Sequence, residues 1–291
     1  MDLFTKKKCK LALKYLFFFC FYLNFAALKY TLMQILTKNI IKEIRALEQR
    51  KGRKEQHAWL AEGNRMVGDL LVSDAFACRR LVATSDWWEA HPEFAHIAAE
   101  CYQVTPTEMQ RVSLQQAPQD VLAVFDETRK NNAADANDDL SILLDEVQDP
   151  GNLGTIIRTA DWFGVRDIFC ALGTADCFNP KVVQATMSAL ARVHVHYFAS
   201  KEEECEWIKA YEGPVYGTFL EGKNIYECTL PAGGVLVMGN EGKGISAEVA
   251  QLVTDKLLIP HFSPDGEHVE SLNVSVATAI CLSELRRRLI K

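Results

Sequence analysis

The sequence contains nine cysteines, but no two stand in CxxC spacing. That excludes a zinc knuckle or a redox dithiol of this kind, and the odd number argues against a disulfide framework. Reduced, mostly buried thiols in a cytoplasmic protein are the expectation. Positive charge is also short: 32 Lys and Arg stand against 38 Asp and Glu, a net charge of -6. Bulk electrostatics therefore gives no drive toward nucleic acid, and any such contact must come from a local patch. No apolar run reaches the roughly 20 residues that a membrane-spanning helix needs. Internal repeats and low-complexity tracts are absent. The glycine-rich stretch near residue 240 fits neither GxxxxGK[ST] nor GxGxxG, so nucleotide hydrolysis and dinucleotide binding are not supported.

What is present divides into four parts. Residues 1–32 carry Lys6, Lys7, Lys8 and Lys10 ahead of an apolar stretch, Tyr15 to Leu28, broken by Asn24. The stretch is too short to span a bilayer and lacks a small-x-small cleavage site. We expect Met33 to be the native start and no stable membrane association; a signal peptide is the alternative. Residues 33–128 alternate strand and helix patterns. A helix is expected over Thr37–Lys51 from Ile40, Ile41, Ile44 and Leu47. Strands are expected at 57–63, 81–84, 102–104 and 121–125, with helices through Met66–Leu71, over Trp87–His96 and after a cap at Thr105 or Thr107. That is a small α/β sandwich. Residues 129–139, RKNNAADANDD, have linker composition. Residues 140–291 repeat apolar strands (141–144, 167–171, 193–198, 215–218, 234–238, 256–259) between helices (155–163, 180–191, 201–211, 247–253). Such runs predict a parallel sheet covered on both faces.

Three stretches of the last part, residues 140–291, bring strand ends into loops, where open α/β sheets bind ligands. The first is DPGNLGTIIRTADWFGV, residues 149–165. Turn chemistry at 149–152 is expected to lead into a helix opened by Gly154 and Thr155, with Arg158 one turn in and aimed back at the loop. An arginine there can meet a phosphate or polarise a hydroxyl. The second is LVMGNEGKGIS, residues 236–246, whose glycines let a ligand come close to backbone. The third is Ile259-Pro260 followed by ESLNVSVATAI, residues 270–280, where Ser271 and Asn273 precede an apolar helix as capping types do. Each is weak alone.

Together, and in this order, they resemble the SpoU (TrmH-type) RNA ribose 2′-O-methyltransferases of the SPOUT superfamily. The segment 179–193 is similar to the family's stretch between the first two motifs. There Ser188 replaces a usual glycine, and His194 a usual proline. Residues around Trp59-Leu-Ala-Glu-Gly63 look like the L30-like substrate-binding domain, related to a ribosomal protein, that many members carry.

The resemblance implies an α/β protein whose C-terminal parallel-sheet SPOUT domain forms a trefoil knot, preceded by the small L30-like α/β domain. It implies S-adenosylmethionine as methyl donor, a homodimer, and structured RNA as substrate, ribosomal RNA before transfer RNA. The positions matching donor contacts are Gly239, Ile259 and Leu272, with Met238, Asn240 and Gly242 beside them. Arg158 matches the group that acts on the ribose hydroxyl, with Asn152 orienting it; Glu241 matches a bracing carboxylate, and Ser271 and Asn273 match polar residues near donor and target. An arginine does not readily give up a proton, so a positioning and electrostatic role is expected, with an RNA phosphate relaying the proton. Two rival readings are a silent RNA-binding protein on the same fold and a methyltransferase for a base nitrogen.

Three features sit outside this pattern. The segment 261–269 is longer than the family's usual link. The basic stretch Lys38, Lys42, Arg45, Arg50, Lys51, Arg53 and Lys54 is either a solvated helix end or an RNA contact. His194 and His196 share a strand face, but with no third ligand evident no metal is expected.

Overall fold

The computed structural model describes residues 33–130, 140–231, 233–262, 270–287 and 289. The N-terminal extension, most of the linker and most of the long segment 261–269 lie outside the described residues.

The first sheet is built from β1 (Met33–Gln34), β2 (Ala58–Glu62), β3 (Phe76–Thr84), β4 (Glu100–Val104) and β5 (Val121–Arg129) in the order β1-β4-β3-β5-β2. The first three of that order run parallel; β5 is antiparallel to both β3 and β2. The single helix expected over 37–51 is instead two, α1 (Lys38–Ala46) and α2 (Arg50–Gln56). Gly52 is the reason that the second can fold back on the first: a Cβ there would lie 2.0 Å from the Ala46 carbonyl oxygen. Next come α3 (Asn64–Ser73), α4 (Ser85–Ala90) and α5 (Pro106–Val112). The α4 helix stops well before His96 because Pro92 follows its end. Thr105, not Thr107, caps α5: it accepts the Glu108 N–H at 3.3 Å, and Glu108 accepts the Thr105 N–H at 2.8 Å.

The second sheet is all parallel, in the order β11-β9-β10-β6-β7-β8. Its strands are β6 (Leu140–Asp145), β7 (Asp167–Cys170), β8 (His194–Tyr197), β9 (Val215–Asn224), β10 (Gly234–Gly239) and β11 (Asp255–Leu258). Its helices are α6 (Pro150–Trp162), α7 (Pro180–Thr186), α8 (Lys201–Ala210), α9 (Ala247–Ala250) and α10 (Val274–Arg287). The central β10 is buried along its whole length, which explains its unbroken apolar run. From β6 the chain goes to β7 on one side, while β10 pairs with it on the other. The carboxyl ends of β6 and β10 are thus a topological switch point, where such sheets place ligands.

The helix expected over 180–191 breaks after Thr186, because Met187 and Ser188 both take left-handed backbone conformations. Ser188, at φ 70°, therefore stands where glycine would fit without strain, and its Oγ donates to Asp69 Oδ2 at 2.8 Å. His194 uses the N–H that a proline would lack, donating to the Arg166 carbonyl at 2.7 Å.

One apolar core runs through both sheets. Trp59 from β2 stacks on Phe178 at 5.2 Å, and full burial of such a side chain stabilises by roughly 1.5–3 kcal/mol. Arg53, only 5% exposed, pairs with Asp176 at 2.7 Å and donates to the Leu47 and Glu48 carbonyls. Arg129 reaches the Leu190 and Ala191 carbonyls. Of the expected basic patch, Arg53 is thus structural, and Arg45 donates to the Ser113 carbonyl at 2.7 Å; Lys38, Lys42, Arg50, Lys51 and Lys54 remain exposed. All seven described cysteines are free, five of them buried. No helix among the described residues is long and apolar enough to cross a membrane.

Candidate active site

The first loop leaves β6 at Asp145. Asp149 accepts the Asn152 N–H at 2.8 Å and Pro150 takes the first helical position, so α6 begins at Pro150 rather than at Gly154. Asn152 consequently lies in the first turn of the helix and Arg158 about two turns in, not one. Gly154 does not open the helix but lies inside it, where a Cβ would stand 2.5 Å from the Ala185 Cβ of α7.

The second loop leaves β10 at Gly239, directly beside Asp145 in register. A Cβ on Gly239 would lie 2.2 Å from Gly244 backbone, so this glycine serves the loop's own tight return. Asn240 and Gly244 exchange backbone hydrogen bonds, and Asn240 Oδ1 accepts the N–H groups of Gly242 and Lys243. The loop is stitched to the first at three places. Asn240 Nδ2 donates to the Glu146 carbonyl at 2.8 Å, and the Ser246 N–H donates to Asp145 Oδ2 at 2.6 Å. Between them, Glu241 accepts the N–H of Gln148 at 3.2 Å, that of Asp149 at 3.1 Å and Asn152 Nδ2 at 3.1 Å. Burial raises the Glu241 pKa, but the bonds from Asn152, Asp149 and Gln148 outweigh it and hold the carboxyl below its ordinary range.

The third loop joins through the same asparagine. Asn273 Nδ2 donates to Asn152 Oδ1 at 2.9 Å, while Asn273 Oδ1 accepts the Ser275 N–H and hydroxyl at the start of α10. Asn273 is thus both a cap and a tie. Asn152 uses its amide donor on the second loop and its amide acceptor on the third. The three sequence motifs meet on this one side chain.

Other expected residues are placed differently. Arg158 is exposed, and no hydrogen bond or ion pair holds its guanidinium among the described residues. Asn152 is committed to Glu241 and Asn273 and does not orient it. Ser271 is exposed and makes no side-chain hydrogen bond among the described residues. Met238 is core; Ile259 is half-buried against that core, while Leu272 is 47% exposed and Gly242 open to solvent. An adenosyl donor needs apolar surface beside backbone that it can approach, and Ile259, Leu272 and the solvent-open chain at Gly242 are of that kind.

Sequence reading missed what lies beneath. Asp145, 1% exposed, bonds to Lys201 Nζ at 2.7 Å, and Lys201 also meets the buried Glu204 at 2.7 Å and Ser246 Oγ at 3.3 Å. Burial lowers the Lys201 pKa, but its bonds to Asp145 and Glu204 outweigh this and raise it; burial raises that of Glu204. This ammonium and carboxylate cluster fixes the base of the second loop. The available signal was Asp145 itself, a carboxylate ending an otherwise apolar strand.

The profile of the SpoU rRNA Methylase family matches residues 139–283, and that of the MRM3-like substrate binding domain matches residues 38–123. The 23S rRNA (guanosine(2553)-2'-O)-methyltransferase RlmP of Bacillus subtilis is 30% identical over 250 residues, covering 84% of this chain and 95% of its own. The chain belongs to the SpoU methylase family. Two solved structures share the SpoU fold along most of the chain. A TrmH-family protein from Porphyromonas gingivalis superposes with TM-score 0.77 at 43% identity, covering 88% of this chain and 100% of that one. An AdoMet-bound rRNA methyltransferase from Sinorhizobium meliloti gives 0.77 at 31% identity, covering 89% and 99%.

Proposed function

We propose that this SpoU-family enzyme transfers a methyl group from S-adenosylmethionine to a ribose 2′-hydroxyl of ribosomal RNA in the cytoplasm. The observation that carries the reading is the meeting of all three signature loops on Asn152, at the switch point of a parallel sheet. The donor, when bound, supplies an electrophilic methyl on its sulfonium. Gly239, Asn240, Gly242, Ile259 and Leu272 are the residues that would hold it, with Met238 setting the strand end. Glu241 and Asn273 keep the loops in register through Asn152, and Ser271 faces solvent where a substrate group can reach it. Arg158 is a cation that no side chain among the described residues pairs: its guanidinium can hold the ribose hydroxyl and a neighbouring phosphate, which takes the proton.

Ribosomal RNA as target is supported by RlmP and by the substrate-binding-type domain, which we take as residues 33–128 joined by 129–139 to a methyltransferase domain at 140–291. Exposed Arg50 and Lys54 line a cleft of about 410 Å³ between the two halves and suit phosphate contact. We also propose a homodimer. Arg158 shares its face of α6 with Trp162, which is 85% exposed, and the adjoining α10 presents Val276. A second copy would cover this apolar surface and complete the site around Arg158. We also take the parallel-sheet domain, with β11 at one edge and α10 packed on α6, to carry the trefoil knot.

The test is transfer of labelled methyl from S-adenosylmethionine by the full chain to ribosomal RNA and to transfer RNA, followed by nucleoside analysis. Label in 2′-O-methylated nucleosides of ribosomal RNA is expected. Donor binding without transfer to either RNA would favour the silent RNA-binding reading, and label on a base nitrogen would overturn the ribose assignment.

A further inference from the structure

The strand pair β7–β8 brings together three side chains that the methyl-transfer site does not use. His194 and His196 alternate along β8 onto one face, and Asp167 sits opposite His194 in the parallel register. Asp167 Oδ1 lies 2.8 Å from His196 Nε2 and 3.6 Å from His194 Nδ1, and donor atoms of all three fall within 4.8 Å of one another. Asp167 is the third ligand that the histidine pair lacks in sequence, and it comes from a strand 27 or more positions earlier in the chain, beyond α7.

We propose that Asp167, His194 and His196 form a binding site for a divalent transition-metal ion, with zinc as the best match. Tetrahedral zinc holds nitrogen and oxygen donors at about 2.0–2.2 Å, which sets neighbouring donors about 3.3 Å apart. The observed 2.8 and 3.6 Å bracket that spacing and the third pair lies within 4.8 Å, so side-chain rotations close the set around an ion. The two imidazole planes are nearly perpendicular, at 88°, and point different edges at one place. His196 is stacked on Phe169 at 4.9 Å and 21°, which fixes its ring while leaving the site's solvent side open for water as a fourth ligand. Two imidazoles and one carboxylate suit zinc, nickel or copper rather than magnesium or calcium, which favour all-oxygen shells. The nearby guanidiniums of Arg129 and Arg166 oppose a dication, so weaker affinity than that of a closed structural site is expected.

The position indicates what the metal does. Asp167 and His194 open their strands, so the site is at the amino end of the parallel sheet, opposite the donor loops. β8 is the sheet's edge. A metal there ties the last strand to its neighbour and blunts an edge open to pairing with another chain. It takes no part in the transfer.

Zinc binding by the full chain, measured in competition with a chromophoric chelator, tests this. One equivalent is expected, weakened at least about tenfold in His196→Gln and in Asp167→Asn and unchanged in a His91→Gln control. Added zinc should raise the melting temperature of the parent and not that of either variant. Circular dichroism establishes that each variant is folded, and transfer activity without added metal should equal that of the parent. Equal zinc affinity in the parent and both variants would overturn the proposal. So would a cobalt-substituted protein whose spectrum shows thiolate charge transfer abolished by cysteine alkylation.

Discussion

At the scale of the residue, Asn152 matters more than its position beside a turn suggests. Removing it in Asn152→Ala strands Asn273 Nδ2 and takes one of three donors from Glu241. Each such bond is worth about 1 kcal/mol, so a loss of about 1–2 kcal/mol is expected in urea denaturation. Loosened loops should also slow single-turnover transfer on the order of 100-fold. Arg158→Ala differs, because the free guanidinium holds no part of the fold. Its stability should match the parent within about 0.5 kcal/mol, and donor binding by calorimetry should persist while transfer is nearly lost. Near-full activity in that variant would remove Arg158 from the mechanism. Glu241 adds a pH dependence. Its carboxyl is held below the ordinary value of about 4.3, so the stabilisation is fully present above that pH and is lost only as pH falls through the lowered value. Donor binding should therefore be insensitive to Glu241 between pH 5 and 8. A loss of binding within that window that Glu241→Gln abolishes would contradict the assignment.

At the scale of the element, α6 and α7 pack through Gly154. An exposed glycine in a helix usually gains up to 1 kcal/mol on replacement by alanine. Here the added methyl meets the Ala185 Cβ at 2.5 Å and the Val182 carbonyl at 2.9 Å, and backbone cannot step aside. Gly154→Ala should destabilise by about 1–3 kcal/mol, measured as the shift in urea midpoint at constant slope. The same element shows what a sequence reveals and what it conceals. The buried strands, a cap at Thr105 or Thr107 and the order of the three motifs were legible because they rest on composition and near neighbours. The start of α6 was misplaced because Asp149 and Pro150 read equally well as a turn. The break after Thr186 answers to a distant group, Asp69 beside Ser188, whereas that at residues 47–49 rests on a contact six positions apart, Gly52 over the Ala46 carbonyl, which helical periodicity does not register. Asn152 was recognisable as a site residue, yet its partners lie 89 and 121 positions away, and no local pattern pairs them. The third ligand at Asp167 was hidden in the same way.

At the scale of the whole molecule, the two sheets are coupled by a shared core and by Arg53, which one half lends to the other. Arg53→Ala leaves Asp176 unpaired and two carbonyls without their donor. A loss of about 2–4 kcal/mol is expected, somewhat below that for a fully buried pair because Asp176 is partly open to water. Calorimetry should show one cooperative transition in the parent, moved to lower temperature in the variant. Two well-separated transitions in the parent would show that the halves do not support each other. The tie between Asn152 and Asn273 has a consequence in time as well as in space. Contacts that span so much chain close late and slowly, since most of the loop-closure entropy must be overcome first. During synthesis the first two loops emerge well before residue 273, and until that residue clears the ribosome the first loop has no third partner. A nascent chain short of Asn273 therefore holds the first two loops together through Glu241 and still leaves the Asn152 amide oxygen open, so the third loop is the last to lock the site.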